Sequence, residues 1–231
     1  MSLSDLKNIL EKRDIILSDK MLEQLDEYAS FLIEYNQKIN LTSIVEYDQI
    51  LDKHFYDSLL AADRKLTGTL VDVGTGAGFP GVVLKIVFPE LKVILLEPIK
   101  KRCVFLEELI EKLNLEDIKV ENIRGEDYAL EHREEYDYVT ARAVSNVSNL
   151  IEICGAMVKV GGYFICLRGK DGGMEILEAK KAIKLMGFEI ENGHFEQLIN
   201  GDLRYINYFK KIAKTSLKYP RKYNIIKRNP L

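Results

Sequence analysis

No stretch of this 231-residue chain stays apolar long enough to cross a bilayer, and Met1 to Lys20 breaks every apolar run with Asp, Lys, Glu or Arg. Neither a membrane span nor a secretory leader is expected, and the chain reads as soluble and cytoplasmic. Cysteine is scarce. Cys103, Cys154 and Cys166 stand singly among apolar neighbours, without the close pairing or His spacing of a zinc site or redox motif, so buried, inert thiols and no metal are expected. No Ser/His/Asp or Cys/His constellation can be assembled, which argues against nucleophilic catalysis by those groups. Internal repeats and low-complexity linkers are also missing.

What is present suffices for one α/β domain with an appendage: 47% hydrophobic residues can bury a sizeable core. The net charge of −3 excludes a protein that coats nucleic acid through bulk electrostatics, but it hides an asymmetry. From Lys210 to Leu231 there are eight Lys and Arg and no Asp or Glu, so the rest of the chain is strongly acidic. Such a tail either grips phosphate locally or is a solvated, frayed end.

Apolar positions at helical spacing from Ser4 to Tyr35, and a second helical stretch from Tyr47 to Ala62, predict a helical cap over residues 1–66. Short β-rich runs follow, at Leu70–Val73, Lys92–Leu96, Ile118–Asn122, Tyr136–Thr140, Gly162–Leu167, Phe188–Asn192 and Asp202–Lys210. Helical segments at Gly81–Val87, Lys101–Leu113, Asn146–Val158 and Gly173–Met186 separate most of them. This alternation predicts a doubly wound, mostly parallel sheet over residues 67–231, with a hairpin at one edge where no long helix intervenes.

The sharpest motif runs from Val71 to Gly81, directly after the first strand: Asp72-Val73-Gly74-Thr75-Gly76-Ala77-Gly78-Phe79-Pro80-Gly81. A strand, a Gly-rich turn and a helix start make a nucleotide-binding crevice in an open α/β sheet. A dinucleotide fingerprint wants Gly or Ala where Phe79 stands, so the spacing suits a cofactor without a pyrophosphate, S-adenosyl-L-methionine, better than NAD. Glu97 ends the next strand, where a carboxylate can accept from both hydroxyls of a ribose. The third strand leads to Gly125-Glu126-Asp127, a place for a carboxylate near an adenine amino group.

These motifs resemble the bacterial small-subunit ribosomal RNA guanine-N7 methyltransferases, the glucose-inhibited division protein B family. The likeness runs through Tyr35-Asn36, Asn40-Leu41-Thr42, His54-Phe55-Tyr56-Asp57-Ser58-Leu59, the Asp72–Gly81 loop, Glu97, Lys101 to Leu106, Arg124-Gly125-Glu126, Thr140-Ala141-Arg142-Ala143, Pro220-Arg221-Lys222 and Pro230-Leu231. It implies a seven-stranded, Rossmann-like class I methyltransferase fold and methylation of small-subunit rRNA, either free or in the small ribosomal subunit, by a monomer. It further implies that Gly74, Gly78, Phe79, Gly125, Glu126 and Arg142 contact the cofactor or the space beside its methyl group, with Asp72, Gly76 and Glu97 in support, and that His54 and Asp57 cap the pocket and help admit the RNA. Two departures stand out: Arg168-Gly169 replaces an expected Lys-Gly, and Gly125 stands where many relatives carry Ala.

Guanine N7 has a lone pair and no proton at neutral pH, so alignment with the methyl donor can carry the reaction without a strong base. Arg142 is the first candidate for shaping the acceptor site, by donating to guanine O6 or a phosphate; the alternative is an Arg that ties the strand end to the cofactor carboxylate or to Asp57. His54 either shapes the site or is a satisfied structural histidine. Lys101 and Arg102 open a helix beside the pocket as a solvated face or an RNA contact, while Tyr219 and Tyr223 either stack on bases or pack on the body. Two other readings stay open: a methyltransferase acting on a protein or small molecule, and a non-catalytic ribosome-assembly factor.

Overall fold

The computed structural model describes residues 1–62, 65–142 and 145–231. Ala143, part of the resemblance, lies outside them.

Two helices lead in: α1 (Leu3–Glu11) and α2 (Asp19–Asn36). Ser2 and Ser18 open them by accepting from the N–H three residues on, which satisfies amides that a helix start leaves bare. The predicted Tyr47–Ala62 helix is not uniform. It runs as α3 (Tyr47–Ile50), a wide π-helical turn (Leu51–Tyr56) and α4 (Asp57–Leu59). Such turns re-aim side chains. Here Asp52, His54 and Asp57 are all buried, each with a partner on a remote segment.

The sheet then begins with β1 (Gly68–Val73), α5 (Gly81–Val87), β2 (Leu91–Leu96), α6 (Lys100–Lys112) and β3 (Ile118–Glu121). It continues with α7 (Gly125–Glu131), β4 (Tyr136–Arg142), α8 (Val147–Gly155), β5 (Val158–Arg168), α9 (Gly172–Glu178) and α10 (Lys180–Leu185). The hairpin β6 (Phe188–Gln197) and β7 (Leu203–Lys211) and a last helix α11 (Tyr223–Arg228) complete the chain. All seven expected strands form. The α7 helix was not foreseen, and the expected Gly173–Met186 helix breaks at Ala179, whose N–H is shared between Glu175 O and Ile176 O; Ile176 and Ile183, on either side of the break, both face the core.

Strand order is β3-β2-β1-β4-β5-β7-β6, parallel from β3 to β5 and antiparallel at β7. The order reverses between β1 and β4, so a crevice opens at the carboxyl ends of those two strands. One face of the sheet and the N-terminal helices share a single apolar cluster, in which Leu6, Leu25, Tyr28, Leu32 and Phe55 meet Leu70, Val82 and Leu95. Each such side chain contributes roughly 1.5–3 kcal/mol when buried, so the cap is fastened to the sheet and is part of its core. A second cluster, centred on Val71, Val139, Leu150, Phe164 and Phe209, fills the other face.

The basic tail is not a free arm. Lys211 is buried and its ammonium donates to Gly155 O at 2.6 Å, Met186 O at 2.7 Å and Thr215 Oγ1. Arg221 forms a fork on the fully buried Glu152, Nε to Oε1 at 2.8 Å and Nη2 to Oε2 at 2.6 Å. Tyr219 is buried, and the Arg124 guanidinium lies 5.0 Å over the Tyr223 ring. Among the described residues, no helix is long and apolar enough to cross a membrane.

Candidate active site

A cleft of about 620 Å³ opens where β1 and β4 diverge. Its floor is the β1–α5 loop, built by positive φ at Gly74 (68°), Gly76 (63°) and Gly78 (101°), a backbone region that costs side-chain-bearing residues dearly. Two carboxylates hold this loop from below. Asp72 Oδ2 accepts from Thr75 Oγ1 at 2.6 Å and from the Gly81 N–H at 2.8 Å, while Glu97 accepts from the N–H of Gly76 at 3.0 Å and of Ile99 at 2.9 Å. Burial lifts the Asp72 pKa to about 6, against the pull of those hydrogen bonds. Gly78 is pressed against α2: a Cβ there would lie 2.6 Å from Tyr28 Oη, whose hydroxyl donates to Ala77 O.

The facing wall is made by side chains from three distant segments. Arg142, at the end of β4, donates from Nη1 to Asp57 Oδ2 at 2.9 Å and to Lys53 O at 3.0 Å, and from Nη2 to His54 Nδ1 at 3.1 Å. Asp57 Oδ1 accepts in turn from Arg204 Nε on β7 at 2.9 Å. A buried carboxylate between two guanidiniums fixes both. Phe79 ties the walls together: its ring stacks on His54 at 4.3 Å and on Tyr28 at 5.4 Å, and Arg142 lies 5.1 Å from its centre. Burial, and then the Arg142 charge, push the His54 pKa down to about 3, so the imidazole is neutral.

Of the expected site residues, His54, Asp57, Gly74, Gly76, Phe79 and Arg142 line the cleft. Asp72, Gly78 and Glu97 brace its floor. Gly125 and Glu126 lie beyond β3, where a Cβ on Gly125 would come 2.6 Å from Val73 Cγ1 and 2.9 Å from Ile153 Cγ2. Glu126 is buried, with a pKa raised by that burial and an Oε1 that no hydrogen bond satisfies. Arg102 lines the cleft, 3.7 Å from Glu97, whereas Lys101 is exposed. Arg168, in place of Lys, donates from Nη2 to both carboxylate oxygens of Glu175 at 2.8 Å; it therefore enters the site already paired. Arg204 was not foreseen, because nothing near it in sequence betrays a partner 147 positions away.

Comparison with known proteins places the chain in a family. The family described as rRNA small subunit methyltransferase G matches residues 21–213. The chain is 40% identical to the ribosomal RNA small subunit methyltransferase G of Alkaliphilus metalliredigens, over 98% of this chain and 97% of that one. It is 41% identical to the protein of the same name from Bacillus subtilis, over 100% and 99%. The chain belongs to the GidB family of rRNA small subunit methyltransferases. Among solved structures, a SAM-dependent methyltransferase from Aquifex aeolicus shares the fold, with a TM-score of 0.54 at 17% identity over 76% of this chain and 97% of that one. The resemblance first carried by short motifs thus extends over the full GidB length, and the sheet is that of the class I methyltransferases.

Proposed function

We propose that this GidB-family chain transfers the methyl group of S-adenosyl-L-methionine to N7 of a guanine in small-subunit ribosomal RNA. The observation that carries this reading is the acceptor wall itself: a cationic cleft whose one imidazole, His54, is buried, neutral and already accepting from Arg142. A site so arranged has guanidiniums to orient a base or a phosphate, and its imidazole is already committed to Arg142. That suits an acceptor atom with a free lone pair, which needs no base.

The residues present fit the cofactor. The open glycine backbone at Gly74 and Gly76 admits close approach, Glu97 keeps lone pairs for ribose hydroxyls, and Glu126 Oε1, which has Arg124 at 4.0 Å but no hydrogen bond, can accept from a donor such as an adenine amino group. When bound, the cofactor supplies an electrophilic methyl on a sulfonium. The chain's own part is to orient and to exclude water: Phe79 and His54 form an apolar, stacked side to the reacting space, and orientation of this kind lowers barriers by about 7–11 kcal/mol in well-aligned cases. Arg142 donates to the base or its phosphate. Asp57 offsets the guanidinium charge, which otherwise opposes formation of a cationic N7-methylated product.

Guanine N7 is hidden in the narrow major groove of A-form RNA, so the target lies in a loop or open junction, or is extruded. We read residues 1–66 as the cap that helps admit it, and the working form as a cytoplasmic monomer. Transfer of labelled methyl to small ribosomal subunits and to their stripped RNA, taken from cells lacking this protein, tests the reading. Label on a single guanine N7 is expected. Cofactor binding without label on either substrate would point to another acceptor or to a non-catalytic role.

A further inference from the structure

Thr42 lies on the cleft wall in the turn between α2 and α3, and its backbone is clamped. Asn36 Oδ1 accepts from the N–H of Leu41 at 2.7 Å and of Thr42 at 3.0 Å, and Asn36 Nδ2 donates to Thr42 O at 3.0 Å. The protons around the Thr42 hydroxyl follow from its neighbours. A guanidinium can only donate, so His54 Nδ1 is the acceptor of Arg142 Nη2, and the single proton of the neutral ring sits on Nε2. That Nε2–H donates to Thr42 Oγ1 at 2.9 Å, and the N–H of Ile44 donates to the same oxygen at 3.1 Å. A hydroxyl oxygen has two lone pairs, and both are taken. Its own proton must be given away, and among the described residues no protein atom receives it.

We propose that this proton is donated to O6 of the guanine being methylated, which makes Thr42 a specificity-determining residue; the assignment rests on the methyl-transfer reading above. Guanine presents O6 beside N7 on one edge, where adenine presents an amino donor. A free threonine hydroxyl could rotate and accept from that amino group. This one cannot, because the chain from Arg142 through His54 fixes it as a donor. Adenine in the same pose would set donor against donor, and a buried, unpaired polar group is how sites reject near-isosteres.

The test uses small subunits reconstituted with RNA carrying either guanine or 2-aminopurine, which keeps N7 and lacks O6, at the modified position. Single-turnover methylation is measured for the wild-type chain, Thr42→Val and Thr42→Ser, with cofactor affinity taken on the same preparations. The wild type is expected to prefer guanine by about ten- to a hundredfold. Thr42→Val should lose guanine activity by that factor and treat the two purines alike, while Thr42→Ser keeps the preference. A wild type without a purine preference overturns the assignment, and needs no variant to do so. So does Thr42→Val slowing both purines equally, which is a structural effect, or weakening the cofactor with the preference intact. In those cases the wild type still methylates guanine; a wild type that leaves guanine unmodified overturns the underlying reading, and Thr42 with it.

Discussion

Gly74 to Ala77 and Phe79, all from the single β1–α5 loop, make one wall of the cleft, whereas the facing wall takes His54 and Asp57 from the N-terminal helices, Arg142 from β4 and Arg204 from β7. The first wall is backbone, held by two carboxylates that accept from amides. The second is guanidinium, held by one carboxylate that accepts from side chains. A local wall is ready as soon as its strand and helix form, and it suits a cofactor that many folds of this type bind. A wall gathered from three segments exists only in the finished fold, and it is there that an acceptor can be chosen.

The sharpest way to break the first wall is Gly78→Ala. At φ 101°, with Tyr28 Oη 2.6 Å and Val82 Cγ2 2.7 Å from the added carbon, the loop has to shift, and cofactor affinity should fall by more than about a hundredfold with a stability loss of about 2–4 kcal/mol. Calorimetry and thermal melts check both; near-native affinity would mean that the loop is not the cofactor floor. Breaking the second wall with Arg142→Ala should reduce turnover about 100- to 1000-fold, with cofactor affinity little changed. Arg142→Lys should restore little, since an ammonium cannot serve Asp57, Lys53 O and His54 Nδ1 in one planar fork. Equal losses in affinity and turnover would erase the distinction between the walls.

The walls also titrate in opposite senses. Asp72, lifted to about 6 by burial, makes the folded chain bind more protons than the unfolded one between pH 3.8 and 6, so stability falls as pH rises through that window. His54, pushed down to about 3, makes the unfolded chain bind more between pH 3 and 6.5, so stability falls as pH drops. Between pH 6.5 and 5 the histidine should cost about 2 kcal/mol. In urea titrations His54→Gln should remove that acid loss and expose the opposing slope of Asp72; a variant with the wild-type profile would show that His54 is not neutral in the fold. The smallest effect is expected on the tail. Lys222→Gln with Lys227→Gln should change the salt slope of RNA affinity by about one or less, because the basic residues that line the cleft lie elsewhere. A larger drop would extend the RNA surface beyond the second wall.

The same contrast explains what could be read from the sequence. All seven strands and the glycine loop were legible, since each is signalled within a few residues of itself, and Glu97 follows from the spacing of strand and loop. Helix α7 was missed because its opening, Gly125-Glu126, reads equally well as a loop, and the π turn has no sequence signature. Arg204 stands at the start of a strand like any solvated Arg until Asp57 is brought to it. Composition left the tail open between a phosphate grip and a solvated end; that Lys211 and Arg221 turn inward, to acceptors 56 and 69 positions back, has no local signal.

That inward turn has a consequence for how the chain is made. β7 lies between β5 and β6, and Glu152 has no partner until Arg221 reaches it, so a segment far along the chain closes a sheet and a core begun much earlier. The domain therefore completes its folding only after Arg221 has left the ribosome that makes it, and a product stopped before Arg221 lacks the partner of Glu152, where loss of one member of a buried pair costs about 3–5 kcal/mol and exposes such a chain to proteolysis.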